Sequence, residues 1–119
     1  MQKLIFIVDD NDTNLAVAAS VLEDEYRVLT MPSAKKMFSL LEKKQPDIIL
    51  LDIEMPEMNG FDAIYKLKEH TGWRDIPVIF FTGWSDSELE SRALKSGALE
   101  IISKPVVPSV LLNCIKNYI

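Results

Sequence analysis

Ile48-Ile49-Leu50-Leu51-Asp52 is the stretch on which the fold turns. Four consecutive apolar residues cannot alternate between a core and solvent, so a strand made of them is covered on both faces, as in a parallel sheet. A carboxylate follows at once. The same shape recurs on either side of it. Leu4–Val8 is an unbroken apolar run that meets Asp9-Asp10, and Val78–Phe81 is one that meets Thr82 and then the small Gly83. Two weaker segments, Val28–Met31 and Glu100–Ser103, are short and of mixed polarity, which suits sheet edges. The second of these leads into Lys104-Pro105.

Helical patterns fill the gaps between these runs. Ala34, Met37, Phe38 and Leu41 fall at i, i+3, i+4, i+7, and Leu111, Cys114, Ile115, Tyr118 and Ile119 extend the same spacing. Leu15–Glu23, Phe61–Glu69 and Asp86–Ser96 supply the others. Ser85 with Glu88 reads as a capping box for the last of these, and Gly97 as its stop. The alternation predicts an α/β (βα)5 fold, a doubly wound three-layer sandwich around a five-stranded parallel sheet. The expected strand order is 2-1-3-4-5, in one domain over residues 1–119.

Composition narrows the function classes. With 119 residues and 48% apolar side chains, the chain can bury a core without disulfide or metal support. Its one cysteine, Cys114, excludes an intramolecular disulfide and suits a reducing cytosol, so a cytoplasmic protein is expected. No apolar run approaches the ~20 residues of a membrane span, and the N-terminus lacks a signal-peptide pattern. A net charge of -5 argues against direct nucleic-acid binding.

The polar residues at the strand ends carry the chemistry. In open α/β sheets, ligands bind beyond the carboxyl ends of the strands, where strand order reverses. The expected order puts Asp9, Asp10 and Asp52 together there, with Thr82 and Lys104 beside them. Taken singly, each has an ordinary role: helix caps or turns for the acids, strand chemistry for Thr82, a solvated charge for Lys104. Met55-Pro56-Glu57-Met58-Asn59-Gly60 is by itself a turn before a helix. Their coincidence on one edge is the signal. Three carboxylates in a small site repel one another unless a cation intervenes. Oxygen donors select a hard ion, Mg²⁺ where phosphate is also bound. A carboxylate so placed can act as a nucleophile toward phosphorus, with Lys104 and the metal neutralising the phosphoryl oxygens and Thr82 hydrogen-bonding one.

Over its whole length the chain resembles the receiver domain of two-component response regulators, a flavodoxin-like family. The resemblance rests on Asp9-Asp10, Asp52, the loop from Met55-Pro56 to Met58-Asn59-Gly60, Thr82-Gly83 and Lys104-Pro105. It implies that Asp52 accepts phosphate from a sensor histidine kinase or phosphotransfer protein, and that the chain is a switch rather than an enzyme. It implies Mg²⁺ (or Mn²⁺) bound directly by Asp10, through water by Asp9, and by Asp52 and the Glu54 backbone carbonyl. Lys104 would hold a phosphoryl oxygen, its bond to Pro105 would be cis, and Thr82 would move toward the phosphoryl group. The last two βα segments would then meet an output domain or effector, or a second copy of the chain.

Two positions depart from the family pattern. Ile101 occupies the place, three before the lysine, where an aromatic side chain often reports the switch. Trp84 is bulky for a position that, with Glu54, helps set phosphate lifetime; both are expected to restrict the hydrolytic water. The remaining features read as structural. His70 is a helix-end residue, Trp73 covers a core edge, Cys114 lies on an apolar helix face, Lys35-Lys36 and Lys43-Lys44 form a solvated face, and Val106-Val107 is a rigid lead-in to the last helix. Two other readings stay open. One is a non-phosphorylated binding module on the same fold. The other is an aspartate-nucleophile phosphohydrolase of the haloacid dehalogenase type, which Asp52-Ile53-Glu54 loosely resembles.

Overall fold

The computed structural model describes residues 2–119. Five strands and five helices alternate along them: β1 (Leu4–Val8), α1 (Asp12–Leu22), β2 (Arg27–Met31), α2 (Ala34–Leu41), β3 (Ile48–Asp52), α3 (Gly60–Glu69), β4 (Val78–Thr82), α4 (Ser87–Lys95), β5 (Glu100–Ser103) and α5 (Pro108–Tyr118). The strands form one parallel sheet in the order β2-β1-β3-β4-β5. That is the expected three-layer topology.

Every residue of β1, β3 and β4 is buried, whereas the edge strands β2 and β5 are partly exposed. The pleat sends alternate side chains to opposite faces. Phe6, Ile49, Leu51 and Phe80 join Met37, Ile64, Leu67 and Ala93 under α2, α3 and α4. Ile5, Ile7, Leu50, Ile79 and Phe81 join Leu15, Leu22, Leu111 and Ile115 under α1 and α5. Each such side chain contributes ~1.5–3 kcal/mol by leaving water. This is why unbroken apolar runs, and not alternating ones, make the central strands.

Element ends differ from the sequence expectations in ways that matter for the site. The apolar runs end one residue short of β3 and β4, because Asp52 and Thr82 still pair in the sheet, opposite Phe81 and Ser103. Helix α1 starts at Asp12, where the Asn11 side chain accepts the Asn14 N–H. Ser85 is not the cap of α4. Asp86 is extended and its carboxylate accepts the Leu89 N–H at 2.8 Å, so the helix begins at Ser87. An ionised oxygen outcompetes a hydroxyl at the positive end of a helix. The capping box falls instead at α3, between Asn59 and Asp62. Gly97 does end α4, with φ +109.

His70 caps the C-terminus of α3 and stacks on Trp73 at 3.6 Å between ring centroids. Trp73 in turn packs with Phe38 against the core. Cys114 is buried in α5, and Lys35, Lys36, Lys43 and Lys44 are exposed. Pro108 is the first residue of α5, so the Val106-Val107 segment does lead directly into that helix.

Candidate functional site

The carboxyl ends of β1, β3 and β4 open together, and the loops that follow shape a cavity of about 280 Å³. Asp9, Asp10, Asn11, Asn14, Asp52, Glu54, Gly83 and Lys104 line it. Asp9 is fully buried just beyond β1, where its backbone N–H reaches Met31 of β2 and its Oδ1 accepts the Asn11 N–H at 2.9 Å. Asp10, next in the chain, is exposed. Asp52 is the last residue of β3 and is buried.

The loop after Asp52 is drawn back tightly. Gly60 N–H donates to the Ile53 carbonyl at 2.8 Å. A Cβ on Gly60 would stand 2.6 Å from the Asp52 carbonyl oxygen and 2.8 Å from Ile53 Cα. Glycine there lets α3 begin directly against the end of β3. The turn signal in the sequence therefore has a second role, which is holding Asp52 in place.

Lys104 joins the site from β5. Its backbone N–H bonds the Thr82 carbonyl at 2.8 Å, and its bond to Pro105 is cis, the isomer the resemblance implies. Its Nζ stands 2.9 Å from Asp52 Oδ1 in a hydrogen bond and 2.8 Å from Asp9 Oδ2 in an ion pair. The ammonium also lies 4.6 Å from the centre of the Phe81 ring, a cation–π contact that the sequence did not reveal.

The electrostatics follow from this crowding. Burial pushes the Asp52 carboxyl up to about 6, with the Asp9 charge adding to the rise and the Lys104 hydrogen bond opposing it. Burial alone would lower the Lys104 pKa, but its bonds to Asp9 and Asp52 outweigh that and raise it. One ammonium therefore faces three carboxylates.

The donor set suits a hard divalent cation. One oxygen each from Asp9, Asp10 and Asp52 lies within 4.8 Å of the others. Asp9 Oδ2 is buried, and the Lys104 ammonium at 2.8 Å is its partner. An all-oxygen cluster with excess negative charge is what such ions select.

Residues 5–116 match the response regulator receiver domain. The chain belongs to that family. The receiver domain is 32% identical to the polar-differentiation response regulator DivK of Brucella ovis, over 100% of this chain and 98% of that one. It is 36% identical to a probable cyclic di-GMP phosphodiesterase of Vibrio cholerae, where the match covers 99% of this chain and 27% of the relative. Among solved structures, the chemotaxis protein CheY4 of Vibrio cholerae superposes with a TM-score of 0.93 at 22% identity, over 100% of both chains, and that likeness supports the fold. The function is that of a receiver in two-component signalling, where histidine kinases or phosphotransfer proteins and effectors are the partners.

Not every residue expected at the receiver site faces it. The Thr82 hydroxyl donates to the Trp84 carbonyl at 2.9 Å and accepts the Trp84 N–H at 3.3 Å. Trp84 is 62% exposed and lines a separate depression with Asp86, Glu88, Leu89 and Arg92. Glu54 is exposed at the rim of the acidic cavity. Ile101 is half-buried and packs against the core cluster under α2, α3 and α4. Sequence reasoning passed over Asn11 and Asn14. The only hint of them was their spacing just after the acid pair, which also reads as a helix cap.

Proposed function

We propose that Asp52 is the phosphoacceptor of this receiver domain. The observation that carries the reading is the Lys104 ammonium, which reaches Asp9 and Asp52 at once, at 2.8 and 2.9 Å. It holds one Asp52 oxygen, and Asp52 lines an open cavity. In the transfer, an Asp52 carboxylate oxygen attacks the phosphorus of a phosphohistidine. The P–N bond breaks as the acyl phosphate P–O bond forms, and the electron pair returns to the imidazole nitrogen. The donor is the kinase or phosphotransfer protein that recognises this domain.

Lys104 would neutralise a phosphoryl oxygen once Asp52 carries the acyl phosphate, and Thr82 would hydrogen-bond another after leaving Trp84. Asp10, Asp52 and the Glu54 carbonyl would hold Mg²⁺ or Mn²⁺ directly, and Asp9 through water. Such an ion supplies charge neutralisation for the incoming phosphoryl group. In this reading the chain turns over only its own phosphate. Among the described residues no helix is long and apolar enough to cross a membrane, and the free buried Cys114 supports a cytoplasmic setting. The exposed apolar side chains Leu94, Leu99, Val107 and Val110 support α4, β5 and α5 as the face for an effector or a second copy.

Intact mass after incubation with acetyl phosphate and Mg²⁺ tests the assignment. Wild type gains one phosphoryl group, and the gain disappears on chelation and in Asp52→Asn. Equal modification of Asp52→Asn would remove Asp52 from the role. No adduct on either protein would favour a non-phosphorylated binding module.

A further inference from the structure

The groove between α3 and α4 lies outside the phosphoryl site, and its charged lining is of one sign. It encloses about 430 Å³ and is lined by Phe61, Ile64, Tyr65, Arg92, Lys95 and Ser96. Both charged residues in that lining are cations. Four further cavities each carry at least one carboxylate, in a chain whose net charge is -5, and Arg92 also borders the one that holds Asp86 and Glu88. Among the described residues, no ion pair engages Arg92 or Lys95.

Arg92 is also held in place. Its guanidinium carbon lies 3.9 Å from the centre of the Phe61 ring, and Phe61 itself packs edge-on against Phe80 of β4. A guanidinium over a ring face can still offer the N–H fork at its edge. That fork matches a carboxylate, which accepts two parallel hydrogen bonds. The Lys68 side chain crosses over Gly97, the residue after Ser96 of the lining, and its Nζ bonds the Arg74 carbonyl at 3.0 Å. Ile64 and Phe61 give the groove an apolar floor, and Tyr65 stands 65% exposed at its rim.

We propose that the α3–α4 groove docks an acidic segment of a partner protein, a short stretch with carboxylates beside an apolar side chain. The carboxylates pair with Arg92 and Lys95 while the apolar side chain covers Phe61 and Tyr65. The charge decides the occupant. The groove's lining offers an acidic chain two cations and no carboxylate. Inorganic anions alone would leave the apolar floor and Tyr65 uncovered. The site stands apart from Asp52, so the proposal does not depend on phosphorylation there.

The test uses the full chain, ¹⁵N-labelled and unphosphorylated, titrated with the peptide acetyl-Glu-Asp-Phe-Glu-Asp-Leu-amide. The expected result is saturable amide shifts confined to residues 61–65 and 92–96, weakening with added salt. Affinity falls about tenfold in Arg92→Ala and also in Lys95→Glu, whose exposed side chain the fold does not need, and Arg92→Lys restores only part of it. Four results would overturn the proposal. They are no saturable shift at millimolar peptide, equal binding of the Gln/Asn counterpart, the same shifts with inorganic phosphate alone, and unchanged affinity in both charge variants.

Discussion

The Thr82 hydroxyl is bonded to the backbone of Trp84, donating to its carbonyl at 2.9 Å and accepting its N–H at 3.3 Å. Thr82 is the last residue of β4, and its side chain is buried. To reach a phosphoryl oxygen on Asp52, the hydroxyl must give up the Trp84 carbonyl. If Asp52 is the phosphoacceptor proposed above, that release would loosen the segment that leads to Asp86 and α4. That helix is lightly held, with Ala93 its one fully buried residue.

Trp84 fluorescence should report this exchange. In a Trp73→Phe background, Mg²⁺ followed by beryllofluoride is expected to change Trp84 emission, and Thr82→Ala to suppress most of that change. A full response in Thr82→Ala would show that the two residues are not coupled. A separate measurement, the dephosphorylation rate, tests the expectation that Trp84 restricts the hydrolytic water. Its indole lines a depression other than the acidic cavity. Trp84→Ala is therefore expected to change dephosphorylation less than Glu54→Ala does.

Asp52 should cost the unliganded protein stability at neutral pH. Its carboxyl is raised from 3.8 to about 6, by burial first and by the Asp9 charge, with Lys104 opposing. Between those two values the folded state holds a proton on Asp52 that the unfolded state has released. Stability from this group is full below pH ~4, falls as pH rises through the window up to about 6, and stays lower above it. After allowance for solvent screening in the open cavity, the loss is about 1–2 kcal/mol. Asp52→Asn is expected to resist urea better than wild type at about pH 8, with the advantage vanishing near pH 4. Lys104 keeps Asp9 as its partner in the variant. An advantage of equal size at both pH values would show that the carboxylate's ionisation is not its source.

Much of this was legible in the chain because burial on both faces leaves a mark that survives without coordinates. Leu4–Val8, Ile48–Leu51 and Val78–Phe81 read as central strands, and the expected strand order then put Asp9, Asp10 and Asp52 on one edge. What was not legible depends on local competition between equivalent groups. Ser85 and Asp86 can both cap a helix, and only geometry shows that Asp86 does. Likewise Thr82 has the right type and place to face Asp52, yet a nearer backbone partner takes its hydroxyl. Periodicity also has no means of placing Phe81 beneath the Lys104 ammonium, because that contact crosses from β4 to the loop after β5.

Cys114 should be chemically quiet. Burial pushes its thiol up to about 12, and the neighbouring Glu100 carboxylate adds its charge and a 3.5 Å hydrogen bond. The thiolate is the reactive form, so the folded protein presents almost none at pH ~8. Native protein is expected to resist iodoacetamide for hours at that pH, and urea-unfolded protein to react at the rate of a free thiol. For stability the sign is simple. The contribution is intact below the unfolded thiol pKa of about 8.5 and is lost as pH climbs toward the folded value. Glu100→Gln should speed native alkylation without unfolding the chain. Rapid alkylation of native wild type would mean that the α5–β5 contact opens readily.

Gly60 offers the sharpest test of how the site is held. An added Cβ would meet the Asp52 carbonyl at 2.6 Å, Ile53 Cα at 2.8 Å and a Phe80 ring carbon at 3.0 Å. Two of the three are backbone atoms of the strand end, which cannot step aside as a flexible side chain could. Helix propensity favours alanine over glycine by up to ~1 kcal/mol at a helical position, so propensity alone predicts a small gain. Overpacking against backbone predicts a loss of about 1–3 kcal/mol. The contact distances decide for the loss. Gly60→Ala is expected to lower the urea midpoint and, by pushing the end of β3, to slow phosphorylation from acetyl phosphate more than its stability loss explains. Asn59→Ala serves as the comparison. It removes the capping bond to the Asp62 N–H, costing about 1 kcal/mol, and leaves the strand end untouched. If both variants slowed phosphorylation alike, the close approach of Gly60 would have no special part in positioning Asp52.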